Sequence, residues 1–162
     1  MQKIKLFNKN NFYTLKTEQV VNSKIEDLWD YFTNIKNLEK IMPKKYNTKV
    51  TIGRRRKLYT GKLFNIKMKI LPFVYSNITS EIKAVEKNKY FIDSQIFGPY
   101  KIWHHEHHFI VNEDESIKIV DIVRYKLRGI PFIKILHKFF IKKEIIKTFK
   151  HRANKINYIF NN

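Results

Sequence analysis

Histidine is concentrated in one short segment, Trp103 to Phe109, which reads Trp-His-His-Glu-His-His-Phe. Imidazole can exchange a proton near neutral pH and can bind metal ions, so chemistry is to be sought here first. The segment has the alternation of a β-strand, in which every second side chain shares a face. Trp103 and Phe109 are bulky and apolar, so we expect their face to point inward and to carry His105 and His107. The opposite face would carry His104, Glu106 and His108.

A second strand-like segment places Asp121, Val123 and Tyr125 on one face. If it lies beside the histidine strand, two imidazoles, a carboxylate and a phenol converge within apolar surroundings. A few polar groups in an otherwise apolar pocket are the usual means of orienting a small ligand. The sequence therefore predicts a polar cluster in the interior.

Three interpretations of this cluster stay open. His105, His107 and Asp121 could hydrogen-bond to one another and serve only the fold, because buried polar groups must be paired. They could hold a hydroxyl or carboxylate of a ligand. One histidine, oriented by Asp121, could also act as a general base in a cyclisation, dehydration or hydrolysis.

We expect neither a metal ion nor another cofactor. The chain has no cysteine, which excludes a thiolate nucleophile, an iron–sulfur cluster and a zinc finger. The outward-facing His104, Glu106 and His108 would lack supporting partners, and the inner histidine pair has no evident third ligand except Asp121. Glycine-rich phosphate loops, the Gly-x-Ser-x-Gly motif and the His-Glu-x-x-His motif are also absent from the sequence.

The spacing of apolar residues predicts the helices and strands that could position the cluster. Ser23 to Glu26 fits a capping box, so a helix should begin there and bury Ile25, Leu28, Trp29 and Phe32. A short helical turn over 38–42 should stop at Pro43. Strand-like alternation predicts seven strands, at Phe12–Val21, Lys49–Ile52, Lys57–Ile70, Tyr75–Val85, Tyr90–Phe97, Lys101–Val111 and Ile117–Leu127.

The last segment returns to helical spacing and predicts one long amphipathic helix over 132–160. Lys142 interrupts its apolar stripe. Either the helix is irregular near Phe140, or the ammonium group reaches solvent, or it points into a cavity. The polar face carries Lys134, Lys147 and His151, and the predicted stripe contains Phe132, Ile135, Phe139, Ile146, Phe149, Ala153, Ile156 and Phe160.

The net charge of +19 raises the question of a nucleic acid or an anionic membrane as partner. Of the 33 basic residues 27 are Lys and 6 are Arg, although Arg is the residue suited to bidentate phosphate contacts. The one cluster, Arg54-Arg55-Arg56, is typical of a solvated turn. We therefore keep a polyanion-binding surface only as a third alternative. The chain start lacks the apolar core of a targeting signal and no apolar run spans a bilayer, so we expect a cytoplasmic protein.

Several motifs together resemble one known family. Their pattern is Gly-Pro-aromatic, then Trp-x-His-x-His-x-Phe, then Asp-x-Val-x-Tyr, and finally Phe-x-x-Arg in the last helix. The segments that match are Gly98-Pro99-Tyr100, Trp103 to Phe109, Asp121 to Tyr125, Phe149 to Arg152, Phe91 to Gln95 and Ile35 to Pro43. The chain resembles the SRPBCC superfamily of START-like and birch-pollen-allergen-like proteins, and within it the bacterial cyclase/dehydrase-like ligand-binding subgroup. It departs at Ser116-Ile117, where a Gly-Thr pair is usual.

The resemblance implies an α+β helix-grip fold in one domain, 1–162, whose antiparallel sheet encloses the last helix. It also implies a cavity for a small apolar or amphipathic molecule between the sheet and that helix. A cyclase or dehydratase that uses His105, His107 and Asp121 for proton transfer is the alternative. Ligand identity and oligomeric state stay open. The candidate ligand-binding residues are Asp93, Trp103, His105, His107, Phe109, Asp121 and Tyr125.

Overall fold

A computed structural model describes residues 2–10, 12–52, 58–71, 73–129, 135 and 137–161. The predicted Arg54-Arg55-Arg56 turn lies outside these residues, as do Lys57, at the start of a predicted strand, and Phe132 and Lys134 of the predicted last helix.

Eight strands form one antiparallel sheet with the order β1-β2-β8-β7-β6-β5-β4-β3. From β3 to β8, strands that follow one another along the chain are neighbours in the sheet, as short turns between antiparallel strands require. The exception is β2, which pairs with the last strand, β8. Register shifts interrupt the β3–β4, β4–β5 and β5–β6 pairs, and such bulges bend a sheet. The strands are β1 Lys3–Lys9, β2 Phe12–Val21, β3 Lys49–Ile52, β4 Leu63–Leu71, β5 Val74–Glu86, β6 Tyr90–Phe97, β7 Ile102–Val111 and β8 Ile117–Lys126.

The predicted fold class and the seven predicted strands are confirmed, with small changes at their ends. Strand β4 begins at Leu63, later than predicted. The additional strand, β1, pairs along its whole length with β2 at the sheet edge. Its Ile4 and Leu6 pack against a buried cluster, while alternate lysines face outward.

Two short helices follow β2, α1 at Ile25–Thr33 and α2 at Leu38–Ile41. Helix α1 begins where predicted, but the capping box is wrong. Lys24 occupies the N-cap position, and the Ser23 hydroxyl donates instead to the Lys24 carbonyl at 3.2 Å. Ser23 is one residue too early to accept from the first-turn amides, and the Glu26 carboxylate accepts from Asn88 at 3.4 Å.

The C-terminal helix α3 spans Lys142–Phe160 and follows a π-helical turn at His137–Ile141. This irregularity lies at the position where Lys142 interrupts the predicted stripe. A π turn adds a residue to the helical repeat, so the buried face changes register there. Lys142 is exposed, and so are Ile135 and Phe139, which the stripe had placed in the core.

Past the π turn, Ile145, Phe149, Ala153 and Ile156 are buried as one face of α3. Ile145 and Phe149 pack with residues of β2 and β8. Ile156 belongs to the larger core, which includes residues of α1. None of the helices in the described part of the chain combines the length and apolar character needed to cross a bilayer.

Candidate functional site

A cavity of about 500 Å³ lies between the sheet and helix α3. Most of its lining is apolar and comes from the short helices, from β4 to β7 and from the inner face of α3. The polar side chains that reach it are Tyr31, Asn37, Tyr46, Ser80, Asp93, Gln95, Tyr100, His105, His107, Arg128, Glu144, Thr148 and Arg152.

Four of the seven candidate residues line this cavity, namely Asp93, Trp103, His105 and His107. The predicted alternation of β7 is correct, because its inward residues are more buried than the outward ones between them. The other three candidates, Phe109, Asp121 and Tyr125, do not line the cavity.

Each of these three residues has another environment. Phe109 packs edge-on against Trp29, with ring centroids 5.8 Å apart. Tyr125 stacks on Tyr13 and its hydroxyl lies 2.8 Å from His137 Nε2. Asp121 lies behind the histidine pair.

Asp121 touches both inner histidines through one oxygen. Its Oδ1 lies 3.0 Å from His105 Nε2, within hydrogen-bond geometry, and its Oδ2 accepts from Thr17 Oγ1 at 3.4 Å. His107 Nδ1 is 2.8 Å from the same Oδ1, but the ring is turned so that this nitrogen makes no hydrogen bond. Strand register explains the meeting, since His107 is directly opposite Asp121 on β8.

Asp93 approaches the same two rings from the cavity side. It is directly opposite His105 on the neighbouring strand β6. Its Oδ2 lies 3.5 Å from His107 Nε2 and 3.8 Å from His105 Nδ1. Each imidazole therefore lies between two carboxylates. The sequence predicts Asp93 only as a candidate for ligand binding and does not bring it to the histidines, because the register between β6 and β7 is not readable from either strand alone.

Burial and neighbouring charges shift the pKa values of the two imidazoles in opposite directions. Burial lowers the pKa of His105 to about 4, with the neighbouring His107 acting in the same direction. Burial also disfavours a charged His107, but the two carboxylates beside it, Asp121 and Asp93, outweigh burial and raise its pKa. Burial alone would raise the pKa of Asp121, yet the two histidines and Arg152 hold it well below its usual range. The cluster is thus neutral at His105 and anionic at Asp121 near neutral pH.

Arg152 is a functional candidate that sequence analysis did not select, although it stands in the Phe-x-x-Arg motif. It is only 7% exposed, lines the cavity, and holds its guanidinium 4.9 Å from the centroid of the Phe149 ring. Its Nε has no hydrogen-bond partner, and no carboxylate within the described residues comes within ion-pair distance of it. The signal in the sequence was the motif alone, because the burial of this cation is visible only in the structure.

A second polar group joins the turn after α2 to helix α3. Tyr46 donates its hydroxyl to Glu144 at 2.9 Å and lies 3.0 Å from the Thr148 hydroxyl, while Lys45 pairs with the same carboxylate. The hydrogen bond from Lys45 lowers the pKa of Glu144, and burial raises the pKa of Tyr46. These contacts hold the short helices against α3 at one end of the cavity.

This chain is similar to known proteins in its fold. No family model matches the sequence, and no curated protein matches it either. Ginseng major latex-like protein from Panax ginseng superposes with a TM-score of 0.66 at 12% identity, over 93% of this chain and 99% of that one. A norcoclaurine synthase point mutant from Thalictrum flavum, in complex with a transition-state analogue, gives 0.64 at 14% identity, over 97% and 96% of the two chains.

An aromatase/cyclase from a Streptomyces species gives a TM-score of 0.64 at 8% identity, over 91% of this chain and 96% of that one. All three neighbours have helix-grip folds of the SRPBCC and birch-pollen-allergen-like type. At such low identity the likeness concerns the fold and not the activity. The eight-stranded antiparallel sheet with its long C-terminal helix is the helix-grip fold that these neighbours share, which is the fold that the resemblance implied.

Proposed function

We propose that residues 1–162 act as one domain that binds a small apolar or amphipathic molecule in the cavity between the sheet and helix α3. The observation that carries the proposal is the cavity itself. Its volume of about 500 Å³ is within the usual range of roughly 300 to 1,000 Å³ for ligand pockets. Its walls are largely apolar, and apolar walls favour a ligand that leaves water on binding.

The polar residues of the lining favour a ligand with one polar end. His105, His107 and Asp93 lie together on the sheet wall, and Arg152 lies on the helix wall. Most of the remaining lining is apolar, as at Ile78 and Phe64. The polar side chains of Tyr46, Glu144 and Thr148 also reach the cavity, but they already bind one another. A molecule with an apolar body and a single oxygen-bearing group matches this division.

Native mass spectrometry of the purified full chain tests this proposal. We expect a bound species of a few hundred daltons, or uptake of added apolar compounds, in the wild-type protein. Ile78→Trp would fill part of the cavity and should abolish the bound species. Ile110→Trp adds the same ring on the exposed face of β7 and serves as the matched control. Equal binding by both variants would refute the cavity as the site.

An enzyme of the cyclase or dehydratase type is the second candidate. It is favoured by the 3.0 Å contact between His105 and Asp121, which fixes an imidazole that faces the cavity. Conversion of a linear polyketide by the wild-type protein, lost in His105→Gln without loss of binding, would support this candidate. Binding without conversion would contradict this candidate, and only the ligand-binding proposal would remain.

A further inference from the structure

We propose that Asp93, His105 and His107 form a binding site for one divalent transition-metal ion on the sheet wall of the cavity. The three residues offer Asp93 Oδ2, His105 Nδ1 and His107 Nε2, and these atoms lie within 4.8 Å of one another. The sequence offered the two inner histidines no evident third ligand except Asp121, and the structure brings Asp93 to them instead. It does not depend on what else fills the cavity.

The distances between the ligand atoms suit such an ion. Tetrahedral coordination at about 2.1 Å places neighbouring ligand atoms about 3.4 Å apart. Asp93 Oδ2 lies 3.5 Å from His107 Nε2 and 3.8 Å from His105 Nδ1. Only small side-chain movements would therefore close the three atoms around an ion.

Asp121 supplies the support that metal-binding histidines require. Such histidines usually donate their second ring N–H to a carboxylate, which fixes the tautomer and the ring orientation. His105 Nε2 lies 3.0 Å from Asp121 Oδ1, so a proton on Nε2 leaves Nδ1 free to bind metal. His107 Nδ1 also lies 2.8 Å from Asp121 Oδ1 but without hydrogen-bond geometry, so a small rotation of the ring would let it donate there, and its Nε2 lies 3.5 Å from Asp93 Oδ2. Asp121 is in turn held by Thr17.

The donor set and its surroundings select the class of ion. Two imidazoles and one carboxylate suit Zn²⁺, Fe²⁺, Co²⁺ or Ni²⁺ better than Mg²⁺ or Ca²⁺, which prefer oxygen ligands throughout. The three donors come from the wall, and Asp93, His105 and His107 all face the cavity, whereas Asp121 does not. The remaining coordination positions would open into the cavity, where water or an oxygen of a ligand could occupy them.

Metal titration of the chelator-treated full chain tests the site. We expect calorimetry to show one Zn²⁺ per chain, and Co²⁺ to give the visible absorption of a four- or five-coordinate ion. Asp93→Asn keeps the side-chain shape and should weaken Zn²⁺ binding at least about tenfold, and Asp121→Asn should weaken it about 10- to 100-fold. The matched control is His104→Ala with His108→Ala, which removes two imidazoles from the outer face of β7 and should leave the affinity within about twofold.

Two results would overturn the proposal. One is Zn²⁺ binding that survives Asp93→Asn but is lost in the outer-face double variant, which would place the ion on the surface. The other is the absence of stoichiometric binding by the wild-type chain. If Asp93→Asn does not fold, proton NMR of the Co²⁺ form of the outer-face double variant decides, because that variant lacks His104 and His108: strongly shifted ring signals from two histidines support the site, and their absence contradicts it.

Discussion

Asp121 is the residue on which the interior polar cluster depends. It is buried, contacts both inner histidines and Thr17, and is influenced by the charge of Arg152. A buried carboxylate in this position stabilises the fold only while its partners are in place.

Replacing Asp121 by Asn should therefore cost stability in the absence of metal. We expect the free energy of unfolding to fall by about 1 to 3 kcal/mol, because an amide cannot serve all of these partners and leaves buried polar atoms unpaired. Urea denaturation in a chelating buffer measures the change. Asp30→Asn, on the exposed side of α1, is the control and should change little. A stability loss no greater than that of the control would show that the cluster is not a stabilising network.

His137 gives the protein a pH dependence outside this cluster. It is buried and packs against the rings of Tyr13 and Tyr125, with Lys142 as the nearby charge. Burial, with a smaller effect of Lys142, lowers its pKa below the value of about 6.5 expected in the unfolded chain. The unfolded chain thus binds the proton more readily, so this contribution to stability is complete above about pH 6.5 and is lost as the pH falls.

His137→Gln isolates this effect. The wild-type protein should lose more unfolding free energy than the variant between about pH 7.5 and about pH 5, since only the wild type must take up a proton at this position on unfolding. Urea midpoints at the two pH values give the comparison. Parallel losses in both proteins would mean that His137 does not titrate differently in the folded state.

At the scale of elements, strands and helices with strong periodicity were predictable, and their irregularities were predictable only in part. The alternation of β7 correctly placed His105 and His107 inward. The π turn at His137–Ile141 was signalled only by the misplaced Lys142, because a change of helical register leaves no motif of its own. Strand β1 was missed although Lys3 to Leu6 alternates, since a short edge strand with charged residues carries a weak signal.

Helix α3 should hold the fold together mainly through Phe149. This ring is 3% exposed and packs edge-on against His105 at a centroid distance of 5.6 Å. Phe149→Ala should lower the unfolding free energy by about 3 to 5 kcal/mol through lost burial and a new void. Tyr158→Ala on the same helix, at a side chain 69% exposed, should cost less than about 0.5 kcal/mol. Similar costs by urea denaturation would contradict the packing described for α3.

At the scale of the whole molecule, the basic charge has no organised arginine surface within the described residues. Arg124 pairs with Glu106, Arg128 donates to the Gly98 carbonyl at 2.9 Å, and Arg152 is buried. Arg124 and Arg128 thus already have partners in the fold, and Arg152 is inaccessible to a nucleic acid.

We therefore expect only non-specific binding of DNA. Affinity at about 0.15 M salt should be weaker than roughly micromolar, equal for unrelated duplexes, and should fall steeply as salt rises. Fluorescence anisotropy with two duplexes across a salt series measures this. A sequence preference that persists at high salt would show a nucleic-acid site that the polar interior does not explain.

The fold as a whole was predictable because several motifs of the resembled family occur along this chain in the family's order. The site was predictable only in part. His105, His107 and Asp121 were named from periodicity, which depends on single strands. The approach of Asp93 from β6 and of Arg152 from α3 depends on how separate elements meet, and packing of that kind is not encoded in any one segment.

The most direct test of a ligand-binding cavity is calorimetric titration of the full chain with anilinonaphthalenesulfonate, an apolar ring system with one anionic group. We predict saturable one-to-one binding by the wild-type protein and by Ile110→Trp, with binding at least about tenfold weaker in Ile78→Trp at unchanged unfolding free energy. Undiminished binding by the Ile78→Trp variant, or none by the wild-type protein, would contradict the account.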